Sequence, residues 1–161
     1  MAVVSFTVLG EPMGKQRPHP YSTPNGAREF TPHKTVKYEN LVRLEYRAQC
    51  NDYYFGEDEP VFVLIDYFLI APKTGGKKKL NLRLMHFLRP LKKPDWDNVG
   101  KIICDSLNHI AYKDDSQIVD GRVRKWWSTR PRVIVNISDE PFDMSKYHVN
   151  PEEPGEQEEG K

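Results

Sequence analysis

Acidic residues in the middle of the chain have the types and spacing of a metal site. Asp95 and Asp97 are separated by one residue and stand between a basic stretch and a helix-like run, which Asp114 and Asp115 follow. Carboxylates hold divalent metal ions, and neighbouring cations attract a polyanion. We therefore expect the chemistry of a Mg²⁺-dependent enzyme that cuts a phosphate backbone.

The candidate ligands are oxygen donors, which favour Mg²⁺ or Mn²⁺ over zinc. His109, the nearest histidine, is adjacent to the apolar stripe of the predicted helix, as is typical of a surface or core-edge residue. Lys101 follows Asp97 by about one helical turn, from where it is predicted to neutralise a negative transition state.

Each of these features also has an ordinary structural explanation. Aspartate before a helix is a common cap, Lys101 and Asp105 form a routine i,i+4 pair, and Asp114-Asp115-Ser116 is an ordinary turn. The residues alone leave both interpretations open.

The charge distribution indicates an anionic partner. Without residues 151–161 the chain carries 23 basic and 18 acidic residues, a net charge of +5. No acid occurs between Asp66 and Asp95. The cations of that interval are Lys73, Lys77, Lys78, Lys79, Arg83, Arg89, Lys92 and Lys93. A one-sign block of this size favours nucleic acid as the partner.

The 161 residues suffice for one compact domain with a core. The longest apolar run, residues 61–65, is too short to span a membrane, and the first residues lack the pattern of a signal peptide. Cys50 and Cys104 do not make a disulfide framework, so we expect a reducing, cytoplasmic location.

Periodicity predicts a mixed helix and strand protein. Strands are expected at 3–9, 61–70, 117–127 and 133–137, with 128–132 as the hairpin between the last two. Helices are expected after residue 33, over about 80–87 and over about 99–110, whereas 10–33 is expected to be a loop and 72–79 a basic turn. Residues 150–161 are polar and acidic and are predicted to be a disordered tail.

The predicted elements must bring the acids together. If residues 95–97 are extended and Asp97 or Asn98 caps the helix, Asp95 and Asp97 project to the same side. A strand starting at Gln117 and running beside residues 92–97 is then needed to bring Asp114 or Asp115 to them. Gly100, inside the predicted helix, suggests close approach of another chain or a ligand.

Two segments resemble the signature of the RusA family of Holliday junction resolvases. The first is Lys93-Pro94-Asp95-x-Asp97-Asn98-x-x-Lys101-x-x-x-Asp105-x-Leu107, followed by Asp114-Asp115-Ser116-Gln117-Ile118. The second is Gly10-Glu11-Pro12-x-x-Lys15-x-Arg17-Pro18 with Phe30-Thr31-Pro32. The resemblance spans roughly residues 3–138. His19 stands where the family often has an arginine, and the acidic tail is not part of the pattern.

The resemblance implies a RusA-like domain over residues 1–149, a small mixed β-sheet with helices packed on one face. It implies a homodimeric, phage- or prophage-associated crossover junction endodeoxyribonuclease that resolves four-way DNA junctions by paired nicks in recombination and repair, using Mg²⁺. It assigns the metal to Asp95, Asp97 and Asp115, with Lys101 as the essential lysine. Asp114 ranks second to Asp115, and Asp105 is expected to be structural.

Two alternative functions remain. One is a non-catalytic DNA-binding protein, in which the acids are only caps and turns. The other is a less selective nuclease that acts on flaps or forks during phage DNA processing.

The predicted DNA contacts are two cations of the N-terminal loop and five lysines of the basic block. They are Lys15, Arg17, Lys77, Lys78, Lys79, Lys92 and Lys93. Trp126 and Trp127 are adjacent on a predicted strand and point to opposite faces, so one belongs to the core and the other to a dimer or DNA surface.

Overall fold

The computed structural model describes residues 1–152. The strands are β1 (Val3–Leu9), β2 (His19–Thr23), β3 (Gly26–Phe30), β4 (Val61–Ile70), β5 (Ile118–Ser128) and β6 (Arg132–Ser138). The helices are α1 (His33–Cys50), α2 (Gly76–Leu84) and α3 (Trp96–Ser106), and single 3₁₀ turns lie at Asp115–Gln117 and Met144–Lys146.

Four strands form one mixed sheet in the order β1-β6-β4-β5. β4 pairs in parallel with β5 and antiparallel with β6, which also pairs antiparallel with β1. The predicted mixed sheet is confirmed, and the apolar run at 61–70 is a central strand as expected.

The core lies on one face of this sheet. Alternate residues of β4 from Val61 to Leu69 are buried there, together with the inward residues of β1 and β6. Tyr38, Val42 and Tyr46 of α1 cover them, as do three apolar residues of α3 and Leu84 of α2. All three helices therefore contribute to one core on one face, because each has an apolar stripe that must be removed from water.

Three element predictions were wrong. Residues 10–33 contain the β2–β3 hairpin, whose strands were hidden by their prolines and glycines. Lys77, Lys78 and Lys79 belong to α2 and not to a turn. β5 and β6 are not a hairpin, because β4 lies between them in the sheet.

The opposite face of the sheet contains a buried ion pair. Asp66 is 4% exposed, and its carboxylate accepts hydrogen bonds from Arg124 at 2.6 and 2.8 Å and from the Trp126 indole at 2.8 Å. Arg89 stacks on Trp126 with its guanidinium carbon 3.4 Å from the ring centroid, whereas Trp127 is buried in the helix-side core. The two tryptophans thus divide between the faces, with Trp127 in the core.

The predicted tail begins within this part of the chain. Glu152 accepts hydrogen bonds from Ser128 and from the backbone and hydroxyl of Thr129, and its own N–H donates to the carbonyl of Leu84. Residues 153–161, the greater part of the predicted tail, lie outside the described residues.

Replacing Asp66 by alanine is expected to destabilise the protein by about 2–3 kcal/mol, because it leaves the Arg124 guanidinium without its buried partner. For a domain of this size the melting temperature should fall by roughly 5–10 °C. Asp120→Ala is the control, since its pair with Arg122 is 3.7 Å long and both side chains are about half exposed. Equal melting temperatures for the two variants, measured by circular dichroism, would contradict the assignment.

Candidate active site

Asp95 and Asp97 lie at the N-terminus of α3. Asp95 is the N-cap residue, and Asp97 is in the first turn. The prediction of an extended 95–97 segment capped by Asp97 or Asn98 was wrong, because α3 already begins at Trp96 and only Asp95, its N-cap residue, keeps an extended backbone. Both side chains are exposed at the N-terminal end of the helix, where the helix dipole is positive.

The Asp95 carboxylate makes no capping hydrogen bond. A capping aspartate normally accepts one from an N–H group of the first turn. The purely structural explanation of Asp95 is therefore weakened, and its oxygens are available to a ligand.

Tyr67 of β4 connects the core to this end of α3. Its hydroxyl donates to the carbonyl of Pro94 at 2.7 Å, one residue before Asp95. Burial raises the pKa of Tyr67, and the charges of Asp95 and Asp97 raise it further. Both carboxylates thus lie near the Tyr67 hydroxyl. The hydrogen bond from this hydroxyl to Pro94 holds the backbone directly before Asp95. Sequence reasoning missed Tyr67, whose only signal was a hydroxyl within a mostly apolar strand.

A second acidic group lies toward the other end of α3. Burial, followed by the charges of Asp105 and Asp114, raises the pKa of Asp115, while Lys101 lowers it. Lys101 Nζ lies 3.6 Å from Asp105 Oδ2, so the i,i+4 pair expected from the sequence is present.

The Lys15 side chain contacts this acidic group. Its Nζ lies 2.6 Å from Glu39 Oε1 and 3.6 Å from Asp105 Oδ2. Its backbone N–H donates to the carbonyl of Asn98 at 2.9 Å. A Cβ on the preceding Gly14 would lie 3.0 Å from the Cβ of Asn98, so the loop approaches α3 closely at this point. The predicted DNA contact at Lys15 is therefore a cation already engaged by two carboxylates.

Asp114 and Asp115 have different environments. The Asp114 carboxylate accepts a hydrogen bond from the Ser116 N–H at 2.9 Å, which caps the 3₁₀ turn. Hydrogen bonding by the Ser116 side chain, and then by its N–H, lowers the pKa of Asp114. Asp115 begins that turn and is half-buried beside Asp105. Asp114 therefore caps the 3₁₀ turn, whereas Asp115 belongs to the acidic group with Asp105.

The path of β5 differs from the one expected. Gly100 of α3 faces Val123, and a Cβ there would lie 3.0 Å from Val123 Cγ2. Lys125, further along β5, donates to the carbonyl of Lys92 at 2.5 Å, and the charge of Asp95 partly offsets the lowering of its pKa by burial. α3 and β5 therefore run in opposite directions. The later part of β5, and not its start, lies beside residues 92–97.

The structure consequently holds the acids as two groups along one helix. Asp97 and Asp105 are eight positions apart, about 12 Å along the axis. Within residues 1–152, no group of three or more Asp, Glu, His or Cys side chains is arranged to hold a metal ion. Mg²⁺, however, is commonly bound by one or two carboxylates together with substrate phosphates. Asp95 and Asp97 fit that kind of site, and Asp115 as a third ligand stays a prediction.

Most of the predicted DNA-contact lysines are exposed. Lys77, Lys78 and Lys79 are exposed on α2, which contacts β5. Lys92 and Lys93 are exposed directly before Pro94 and Asp95. Arg17, in the N-terminal loop, is also exposed. Cations and carboxylates thus lie toward the C-terminal ends of the parallel strands β4 and β5, where ligands of α/β sheets commonly bind.

A mixed sheet with helices on one face, exposed paired carboxylates and adjacent lysines define a candidate nucleic-acid hydrolase. The family model for endodeoxyribonuclease RusA matches residues 10–138. A Bacillus subtilis (strain 168) protein described as "Uncharacterized protein YqaN" is 39% identical over 143 residues, covering 85% of this chain and 96% of that protein. The chain therefore belongs to the RusA endodeoxyribonuclease family, as its motifs predicted. Among residues 1–152, no helix is both long and apolar enough to cross a membrane.

Asp115→Asn is expected to stabilise the metal-free protein at neutral pH. The raised pKa means that the folded state binds this proton more tightly than the unfolded state, so stability falls as pH rises from the ordinary carboxyl range through the raised value. The stability of the variant should lack that decline, and its melting temperature should match that of the parent only at pH values below the ordinary carboxyl range. Thermal melts in EDTA between pH 3 and 8 test this.

Asp114→Asn is the matched comparison and should have the opposite sign. The pKa of Asp114 is lowered, so its contribution is present at neutral pH and is lost as pH falls through the lowered value. If both variants shift the melting temperature in the same direction at pH 7, the distinction between the two aspartates is wrong.

Proposed function

We propose that this protein is a Mg²⁺-dependent, structure-selective DNA endonuclease that resolves four-way junctions by paired nicks. The observation that carries this proposal is the exposed Asp95–Asp97 pair at the start of α3, beside exposed lysines, in a member of the RusA endodeoxyribonuclease family. Branched DNA is the proposed substrate because the family resemblance extends through both motif segments.

Asp95 and Asp97 would hold the ion, with Asp115 as the proposed third ligand, and Mn²⁺ is expected to substitute for Mg²⁺. Held there, the ion would supply activation of a water molecule and compensation for charge on the leaving oxygen. Tyr67 contributes by holding the Pro94 carbonyl, which limits the positions that the Asp95 backbone can adopt.

The cations of the chain have two proposed tasks. Exposed Lys92 and Lys93 precede the acidic pair directly and are suited to hold a DNA phosphate next to it. Lys101 is 61% exposed and lies one turn into α3, and we propose that it stabilises negative charge that develops near Asp97 or Asp115. Lys15, together with Arg43 and Lys101, pairs with Glu39 and Asp105, so the second acidic group is tolerable beside a polyanion.

Paired nicks require two active sites, so we propose a homodimer. Two identical subunits related by a two-fold axis present two equivalent acidic pairs to the two symmetric strands of a junction.

Asp97→Asn should reduce Mg²⁺-dependent cleavage of a synthetic four-way junction by about 100-fold or more, because a lost metal ligand is worth several kcal/mol of transition-state stabilisation. Junction affinity in EDTA should change little. Asp120→Asn, at an exposed carboxylate of β5, is the control and should cut like the parent.

The same assay distinguishes the alternatives. Junction binding without product at any enzyme concentration would indicate a non-catalytic DNA-binding protein. Equal rates on junction, flap and fork would indicate the less selective nuclease. An Asp97→Asn variant that cuts as fast as the parent would remove this residue from the metal site.

Lys78→Ala should weaken DNA binding and reduce the slope of log affinity against log salt concentration by about one, if the lysine contacts one phosphate. Lys146→Ala is the matched control, because that lysine is 76% exposed but belongs to the 3₁₀ turn over the opposite face of the sheet. Fluorescence anisotropy across a salt series measures both slopes. An unchanged slope for Lys78→Ala would exclude a phosphate contact there.

A further inference from the structure

The β2–β3 hairpin projects from the domain without joining its core. Apart from half-buried Thr23, every residue of both strands is exposed. The strands pair from His19↔Phe30 to Thr23↔Gly26 and are closed by Pro24 and Asn25. An isolated two-stranded hairpin is only marginally stable in water. This one adds no side chain to the domain core, so the stability of the fold does not explain it.

The two faces of the hairpin differ in chemistry. His19 and Tyr21 of β2 share one face with Phe30 and Arg28, their partners on β3. On that face the Phe30 ring centroid lies 5.5 Å from that of His19 and 6.0 Å from that of Tyr21. Tyr21 is 43% and Phe30 is 51% exposed, so the rings form an accessible aromatic surface. The other face carries the smaller or polar residues Pro20, Ser22, Ala27 and Glu29.

The charge around the aromatic face is almost entirely positive. From residue 12 to residue 38 the only acid is Glu29, which lies on the opposite face. The cations of this segment are Lys15, Arg17, Arg28, Lys34 and Lys37, and all except Lys15 are exposed.

The start of α1, directly after the hairpin, also indicates an anion. Its N-cap is Pro32, no side chain caps it, and its first turn contains no acid. Lys34 lies in that first turn, where a cation is disfavoured by the helix dipole unless an anion is nearby.

We propose that the aromatic face of the β2–β3 hairpin stacks on unpaired or splayed bases at the branch point of DNA, and that it sets the preference for branched over linear DNA. Bases offer π-faces to aromatic rings only where they leave the duplex stack, and Arg28 with the neighbouring cations holds the adjoining phosphates. A second copy of the chain fits this surface less well, because a symmetric contact would bring the same cations together. This inference rests on the proposed DNA function.

The test compares Tyr21→Ala/Phe30→Ala with the parent in EDTA, so that binding is separated from cleavage. Affinities for a four-way junction and for a linear duplex of the same sequence are measured by fluorescence anisotropy. The double variant should bind the junction at least about 5-fold more weakly, with duplex affinity within about 2-fold of the parent. A 2-aminopurine at the branch point should change its fluorescence on binding the parent and not on binding the variant.

Two controls distinguish stacking from loss of the hairpin. Ser22→Ala/Ala27→Ser changes the opposite face and should leave the junction-to-duplex ratio unchanged. Tyr21→Phe keeps a ring and should also retain the ratio.

Three results would overturn the inference. The first is an unchanged ratio of junction to duplex affinity in the aromatic double variant, and the second is an equal loss of both affinities. The third is that this variant is a monomer by light scattering whereas the parent is a dimer. The proposed function fails separately, if the parent yields no Mg²⁺-dependent product from any branched DNA.

Discussion

The buried central strand β4 determines where the chemistry of this protein lies. Its alternate residues build the core beneath the helices, and Tyr67 on that same face reaches past the core to the carbonyl of Pro94. That hydrogen bond joins the most constrained element of the sheet to the residue before Asp95. Because a shift by one position would exchange the two faces of the strand and bring Asp66 into the helix-side core, the position of this contact is fixed by the packing of the whole domain.

Electrostatics divides the molecule into regions with different tasks. The opposite face of the sheet buries Asp66 with Arg124, where a charge must be paired to be tolerated. Along α3 the carboxylates are crowded instead, and burial, followed by the charges of Asp105 and Asp114, raises the pKa of Asp115. Lysines 15 and 101 offset part of that repulsion at Asp105. Crowded carboxylates near exposed lysines form a surface suited to bind metal ions and a polyanion.

The antiparallel course of α3 and β5 constrains any account of the metal site. It places Lys125 near Asp95 and leaves Asp115 toward Asp105, so that one helix separates the two acidic groups. A site that uses Asp95 and Asp97 together with DNA phosphate needs no change in this arrangement. The exposed hairpin lies outside that framework, which is consistent with a separation between the elements that cut and those that select the substrate.

Local periodicity and residue types at fixed spacing are enough to predict the strands at 3–9 and 61–70, the apolar stripe of α3 and the family. The sequence also identified Asp95, Asp97 and the lysine-rich segment as candidates, because their chemistry is evident without coordinates. The folded arrangement was needed to show that β4 separates β5 from β6 and that the Tyr67 hydroxyl contacts the residue before Asp95. It alone placed Lys15 among carboxylates and Asp115 beside Asp105. Such placements depend on how distant segments pair and in which direction they run, and neither is encoded in the period of any single segment.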